Sequence, residues 1–148
     1  MKGISIKICV FNSPVEVSVG KVYRVSIDAL RDFPWSRYVR FAFLFGSAVL
    51  GSTAGDVDIA ISRVSLETLG ELLAELVKSI HIPEDYIDLV IITERTPCPL
   101  VLEAFKGMPL YVADWDEVYR YFNVCQDQQI DSRKLRLIET AVDAVWRR

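Results

Sequence analysis

The stretch FLFGSAVLGSTAGDVDIAI, residues Phe43 to Ile61, decides how this sequence is interpreted. It starts within an apolar run from Arg40 to Phe45, which is typical of a strand buried on both faces. We expect a short helix to begin at Ser47, so that backbone N–H groups and the Ser47 hydroxyl face outward at its N-terminus. Such an arrangement binds phosphate. Gly46 lets the backbone approach the phosphate without a side chain in the way.

Two aspartates open the next predicted strand, Val57 to Ile61. Because side chains alternate along a strand, Asp56 and Asp58 share one face while Val57 points to the other. Neighbouring carboxylates repel each other unless a cation lies between them, and Mg²⁺ prefers carboxylate oxygens. The sequence therefore predicts a divalent-cation site at Asp56 and Asp58.

A third aspartate, Asp88, interrupts the apolar run from Tyr86 to Ile92. A charge in such a run is costly unless it is paired or bound to metal. If this strand pairs beside the strand of Asp56 and Asp58, Asp88 completes a three-carboxylate cluster. The alternative is that Asp88 is a charge on an edge strand, where it discourages pairing with other sheets.

The remaining pattern mixes helices and strands. Alternating apolar residues over 4–10 and 15–19, separated by a turn at 12–14, predict a hairpin, and 26–38 is helical until Pro34 interrupts it. Ser65 is a predicted N-cap, followed by a helix with one apolar stripe. The stripe consists of Leu66, Leu69, Leu72, Leu73, Leu76, Val77 and Ile80.

Three further elements follow the Asp88 strand. Pro99 opens a predicted helix that Gly107 closes, and residues 110–112 form a brief strand. Asp114 and Glu117 form a variant capping box at the start of a helix that continues to about Val124. A last helix is expected from about Asp131, with apolar residues on one side: Leu135, Ile138, Val142, Val145 and Trp146.

Length and composition favour one domain without a membrane span. The 148 residues suit a single core, which we divide into an N-terminal β extension (1–25), a core (26–125) and a C-terminal helix (126–148). No apolar stretch approaches the roughly 20 residues of a membrane span, and no secretory signal is present, so a soluble cytoplasmic protein is expected. The net charge of −3 argues against a broad nucleic-acid-binding surface. A hydrophobic content of 51% indicates a partner surface or self-association.

The cysteine pattern indicates neither a disulfide framework nor a metal site. Cys9, Cys98 and Cys125 are odd in number and far apart, so we predict neither a disulfide framework nor a zinc site. All three are expected to be buried thiols.

The motifs together resemble those of the minimal nucleotidyltransferases of the DNA polymerase beta superfamily. The pattern of that family is hydrophobic-Gly-Ser, a loop, Asp-hydrophobic-Asp-hydrophobic, and a third Asp on a later strand. The matching segments are Phe45-Gly46-Ser47, Asp56-Val57-Asp58-Ile59 and Ile87-Asp88-Leu89. The resemblance extends over roughly residues 28–125.

The resemblance implies an α+β nucleotidyltransferase fold: a mixed sheet flanked by helices, with an N-terminal hairpin and C-terminal helices. It implies that Asp56, Asp58 and Asp88 are the catalytic and metal-binding residues, holding two Mg²⁺ ions, or Mn²⁺ in their place. Gly46 and Ser47 would hold the phosphates of ATP or another nucleoside triphosphate. The implied reaction transfers a nucleoside monophosphate, most simply AMP, to an acceptor hydroxyl.

The resemblance also implies a partner. Small proteins of this kind commonly act as antitoxins of a separately encoded, helical HEPN-type ribonuclease, and some attach AMP to it. A homodimer fits the apolar stripe of the last helix equally well. A polymerase or a tRNA-modifying enzyme would need a further domain, and the net charge does not favour either.

The sequence departs from the family at the loop. Family members often carry arginine after Gly-Ser and serine before the first Asp, whereas here Ala48, Val49 and Leu50 follow Ser47, and Gly55 precedes Asp56. The loop is also shorter than usual. The alternative function is therefore a binding module with weak or no catalysis, which neutralises its partner stoichiometrically.

Overall fold

The computed structural model describes residues 16–20, 23–50 and 53–146. The strands are β1 (Glu16–Val19), β2 (Tyr23–Ser26), β3 (Phe41–Phe45), β4 (Thr53–Ala54), β5 (Val57–Ile61), β6 (Ile87–Ile91) and β7 (Met108–Val112). The helices are α1 (Ile27–Asp32), α2 (Ser47–Leu50), α3 (Leu66–Ile80), α4 (Cys98–Phe105) and α5 (Trp115–Trp146), with short 3-10 turns at Trp35–Arg37 and Glu84–Tyr86.

The main sheet has the order β6-β5-β3-β7. β3 runs antiparallel to both β5 and β7, and β6 runs parallel to β5 after the crossover through α3. All five residues of β3 are buried, as predicted for a strand covered on both faces. The predicted α+β class with a mixed, helix-flanked sheet is confirmed.

Alternation along β3 divides the core into two halves. Ala42 and Leu44 pack with the buried side of α3, whereas Phe41, Phe43 and Phe45 pack with α4 and α5. The sheet is therefore covered by helices on both faces, as its apolar central strands require. Neighbouring residues along β3 therefore point to opposite faces of the sheet.

The described N-terminal hairpin joins β1 to β2. β1 pairs antiparallel with β2, and β4 adds to β1 in parallel. The predicted arm over 4–10 lies outside the described residues. Ser26 ends β2 and caps α1, since the Ala29 N–H donates to Ser26 Oγ over 3.3 Å, and α1 ends before Pro34 as expected.

The helix after Ser65 is confirmed, with one correction. Thr68 N–H donates to Ser65 Oγ over 3.1 Å, and the stripe buries Leu72, Leu76 and Ile80. Leu66 was wrongly included in that stripe, because it is 84% exposed in the first turn. The helix ends at His81, whose backbone is left-handed with a φ of 56°.

The C-terminal part of the chain is one helix and not two. The predicted break between Val124 and Asp131, and the segment boundary at residue 126, were wrong, because α5 runs unbroken over 32 residues. No glycine or proline occurs within it to interrupt the helical hydrogen bonds. Asp114 caps it, accepting from the Asp116 N–H over 3.0 Å, while Glu117 pairs with Arg40 over 2.8 Å instead of completing a capping box.

No helix within the described ranges combines the length and the apolar character that a bilayer span requires.

The prediction of three free thiols was wrong for two of the cysteines. Cys98 at the start of α4 and Cys125 in α5 form a disulfide, with their Cα atoms 5.2 Å apart. The pairing depends on the packing of α4 against α5, which spacing in the sequence does not reveal. Cys9 lies outside the described residues.

A disulfide between residues 27 positions apart restricts the unfolded chain, so its loss should lower stability. We expect Cys98→Ser to reduce the free energy of unfolding by about 2–4 kcal/mol under oxidising conditions, measured by urea denaturation. A reductant should lower the stability of the wild type to a similar extent and leave the variant unchanged. Equal stability of the two proteins without reductant would show that the bond does not form.

Candidate functional site

Strand register brings the predicted residues to one end of the main sheet. Phe45, the last residue of β3, pairs with Asp58 on β5, and Asp58 pairs directly with Asp88 on β6. Gly46 and Ser47 follow Phe45, and Asp56 precedes β5. The strand neighbourhood on which the three-carboxylate prediction depended is therefore present.

Gly46 lies against the carboxylate of Asp58. Its backbone has a φ of 74°, which glycine adopts at no steric cost. A Cβ at this position would collide with Asp58 Oδ2 and lie 3.3 Å from Asp58 Cγ. Glycine is therefore required both by the turn and by the close approach of the carboxylate.

Ser47 is exposed at the start of α2, where the chain turns away from the sheet. The turn is closed by a hydrogen bond from the Val49 N–H to the Gly46 carbonyl over 3.2 Å. Ala48 is buried, with 3% of its surface exposed. Ser47 is thus the polar side chain that this turn presents beside Asp58.

The three aspartates differ in exposure. Asp58 is half-buried, whereas Asp56 and Asp88 are exposed. The argument that an apolar setting makes Asp88 costly was therefore wrong, because its side chain is exposed and β6 is the outermost of the described strands. Both interpretations of Asp88 keep support: it lies on an edge, and it lies directly beside Asp58.

Burial and nearby negative charges both disfavour the ionised form of Asp58. Its pKa is raised above the ordinary value, first by burial and then by the negative charges of Asp88, Asp56 and Glu103. The ion pairs in the described part of the chain, Arg40–Glu117 and Arg63–Glu94, lie elsewhere. Asp58 is thus a partly desolvated carboxylate among other carboxylates.

The donor chemistry of this sheet end fits a hard divalent cation, because it consists of carboxylate oxygens. The side chains themselves do not converge: no group of three or more His, Cys, Asp and Glu residues among those described is arranged to hold a metal ion. The backbone places the carboxylates together, and closure around an ion would require side-chain rotation.

Two further residues reach this end of the sheet from α4 and were missed in the sequence. Glu103 and Lys106 line a cavity of about 190 Å³ together with Phe45, Gly46, Val49 and Gly107. No motif marks them. The available signal was Gly107, which ends the predicted helix and fixes where the chain re-enters the sheet.

A larger cavity, about 390 Å³, lies between the loop 93–98 and α5, beside the disulfide. It adjoins the carboxyl-terminal end of β6, whereas Asp88 lies near the amino-terminal end of that strand. None of the predicted site residues lines it.

A comparison with protein-family models and one with curated protein sequences find no match. Among solved structures, the chain is similar to a complex of tri-AMPylated Shewanella oneidensis HEPN toxin with MNT antitoxin, at 19% identity and a TM-score of 0.45, covering 78% of this chain and 92% of that chain. A toxin–antitoxin structure with AMP-PNP matches at 19% identity and a TM-score of 0.49, covering 78% and 94%. The MntA–HepT structure matches at 17% identity and a TM-score of 0.44, covering 78% and 92%.

These structural neighbours are toxin–antitoxin structures.

The surroundings of Gly46 and Gly70 predict opposite effects for their substitution by alanine. Gly46→Ala should destabilise the protein by about 1–3 kcal/mol, because it adds a collision to a left-handed backbone. Gly70→Ala, in open space on α3, should stabilise it by about 0.5–1 kcal/mol. Thermal unfolding measures both. Destabilisation by Gly70→Ala, or none by Gly46→Ala, would contradict the local geometry.

The surroundings of Asp58 predict that its charge destabilises the fold without metal. The pKa of Asp58 is raised in the folded protein. Its protonated form therefore adds to the stability of the fold. This contribution is complete below the ordinary pKa and is lost as pH rises through the folded pKa. Asp58→Asn should therefore be more stable than the wild type at pH 7 in a chelator, by up to about 1 kcal/mol after allowance for partial exposure. The difference should shrink in acid.

Denaturation with urea between pH 3 and 7 tests this expectation. The matched control is Asp127→Asn, which changes an exposed aspartate of α5. A gain in stability that is equal for both variants, or independent of pH for Asp58→Asn, would overturn the assignment of repulsion to Asp58.

Proposed function

We propose that this chain is a metal-dependent nucleotidyltransferase that transfers AMP from ATP, or another nucleoside monophosphate, to a hydroxyl group. The proposed acceptor is a separately encoded HEPN-type toxin, so that the chain acts as an antitoxin in the cytoplasm. The observation that supports the proposal is the position of Asp58: Gly46 lies against its carboxylate, and its backbone pairs with that of Asp88 on the neighbouring strand. A phosphate-suited turn and a carboxylate cluster adjoin one another there.

Asp56, Asp58 and Asp88 are the proposed ligands for two Mg²⁺ ions, with Mn²⁺ as a substitute. Bound ions of this kind neutralise the phosphates and stabilise the attacking and leaving oxygens of an in-line displacement. Without them, the charge on Asp58 is opposed by burial and by neighbouring carboxylates. The chemistry of the ligands therefore supports a cation at this position.

Different residues of the chain are proposed to accept the proton and to hold the phosphates. Asp88 would accept the proton of the acceptor hydroxyl, whose oxygen forms a bond to the α-phosphorus. The bond from that phosphorus to pyrophosphate breaks, and pyrophosphate leaves with the bonding electron pair. Gly46 and Ser47 would hold the terminal phosphates through the backbone of the turn and the serine hydroxyl.

A protein partner is supported by the far half of α5. Its exposed apolar side chains include Leu135 (60%), Ile138 (60%), Val142 (47%) and Val145 (70%), while Leu137 (70%) lies off their line. Their spacing of three, four and three residues places them on one side of the helix. A contiguous apolar stripe of this kind is typical of an interface with another protein or with a second copy.

One observation favours the alternative of a binding module with little catalysis. Ala48, at a position where the resembled family often carries arginine, is buried and uncharged, so the turn contributes no cation to a triphosphate. The apolar stripe of α5 does not include the carboxylates and would remain if catalysis were absent. Stoichiometric neutralisation of the partner is therefore the second candidate function.

The two functions are separated by the double variant Asp56→Asn/Asp58→Asn. Wild type, co-expressed with a candidate HEPN-type partner, should increase the partner's mass by one or more AMP groups, measured by intact-protein mass spectrometry. The double variant should fold, still bind the partner, and leave its mass unchanged. Asp127→Asn is the matched control and should transfer like the wild type.

Each alternative result has a distinct meaning. If the partner gains no mass but is neutralised equally by wild type and double variant, the chain is a stoichiometric binder. If the double variant transfers AMP as well as the wild type does, the carboxylates are not the catalytic site.

A further inference from the structure

We propose that Lys106 binds the triphosphate and replaces the cation that the Gly-Ser turn lacks. This inference rests on the proposed function, since it assigns a residue to the same nucleotide. It assigns to Lys106 a contact with phosphate oxygens, on the side of Gly46 that faces away from Asp58.

Strand register places Lys106 beside the turn. Leu44 of β3 pairs with Met108 of β7 in an antiparallel arrangement. Just beyond these paired residues, Gly107 lies against Leu44 and Phe45, and Lys106 and Gly46 line the same cavity. On the other side of β3, Phe45 pairs with Asp58. The Gly46 turn therefore lies between a carboxylate on one flank and a lysine on the other.

The segment that carries Lys106 is held closely against β3. A Cβ on Gly107 would collide with the Leu44 carbonyl and lie 2.9 Å from Phe45 Cβ. The end of α4 is closed by the Lys106 N–H, which donates to the Leu102 carbonyl over 3.1 Å. The backbone of Lys106 is thus fixed next to the turn, while its exposed side chain can rotate.

The cavity at this position has one basic lining residue. Phe45, Gly46, Val49 and Gly107 form its uncharged walls, and Glu103 and Lys106 supply its charges. Glu103 also contributes to the raised pKa of Asp58, so its negative charge is felt at the carboxylate as well as in this cavity. Lys106 takes part in neither of the described ion pairs.

A triphosphate needs positive charge beyond what metal ions provide, and lysine is a common point-charge ligand for phosphate. Ala48 is buried and Val49 is apolar, so α2 supplies none. Lys106 adjoins the same turn from a different element. The contact is with the terminal phosphates, which AMP lacks, so it favours ATP over AMP.

The experiment compares Lys106→Gln, Lys106→Arg and the matched control Lys78→Gln, which changes an exposed lysine on α3. Binding of ATP and of AMP in the presence of Mg²⁺ is measured by isothermal titration calorimetry. Lys106→Gln should weaken ATP binding about tenfold and leave AMP binding within about twofold of the wild type. Lys106→Arg should retain most of the affinity, and Lys78→Gln all of it.

The outcomes separate this inference from the function on which it rests. If wild type binds ATP and Lys106→Gln binds it as tightly as Lys78→Gln does, the assignment of Lys106 is overturned and the proposed function stands. Equal weakening of ATP and AMP binding also overturns it, because the contact would then not be with the triphosphate tail. If the wild type binds no ATP, the assignment of ATP as the nucleotide of the proposed function fails, and this inference fails with it.

Discussion

The pairing of β3 with β5 is the constraint on which the rest of the site depends. It puts Phe45 opposite Asp58, and thereby brings the turn after β3 against the first carboxylate of β5. The contact leaves no space for a Cβ on Gly46. A slip of one residue would move Asp58 to the other face of the sheet, away from the turn. The register is held by the buried side chains of β3, which fill both halves of the core.

Local pattern predicted the elements of the main sheet well. The apolar runs at β3, β5 and β6 and the capped helix α3 were correctly located, because burial on both faces and a clear stripe leave strong signals. The prediction that Asp56 and Asp58 share one face followed from the period of a strand. Errors occurred where tertiary contacts decide the outcome: α5 continues through a polar stretch, and the Cys98–Cys125 bond depends on how two helices pack.

The candidate site was only partly predictable for the same reason. Asp56, Asp58, Gly46 and Ser47 lie close together in sequence, and Asp88 could be added by assuming that its strand is a neighbour. Its exposure on an edge could not be read from the apolar run around it. Glu103 and Lys106 come from the end of a helix and join the site only through the pairing of β7 with β3.

The Gly46 turn has the carboxylate of Asp58 on one flank and Lys106 on the other, so the Gly-Ser turn can lack a cation of its own. The proposed function depends on the binding of a divalent ion at the end of the sheet that carries Asp58. The most direct test is titration with Mn²⁺, following the free ion by electron paramagnetic resonance. Saturable loss of the free-ion signal with wild type, and much weaker loss with Asp58→Asn, is the predicted result. Equal binding of Mn²⁺ by the two proteins would contradict the account.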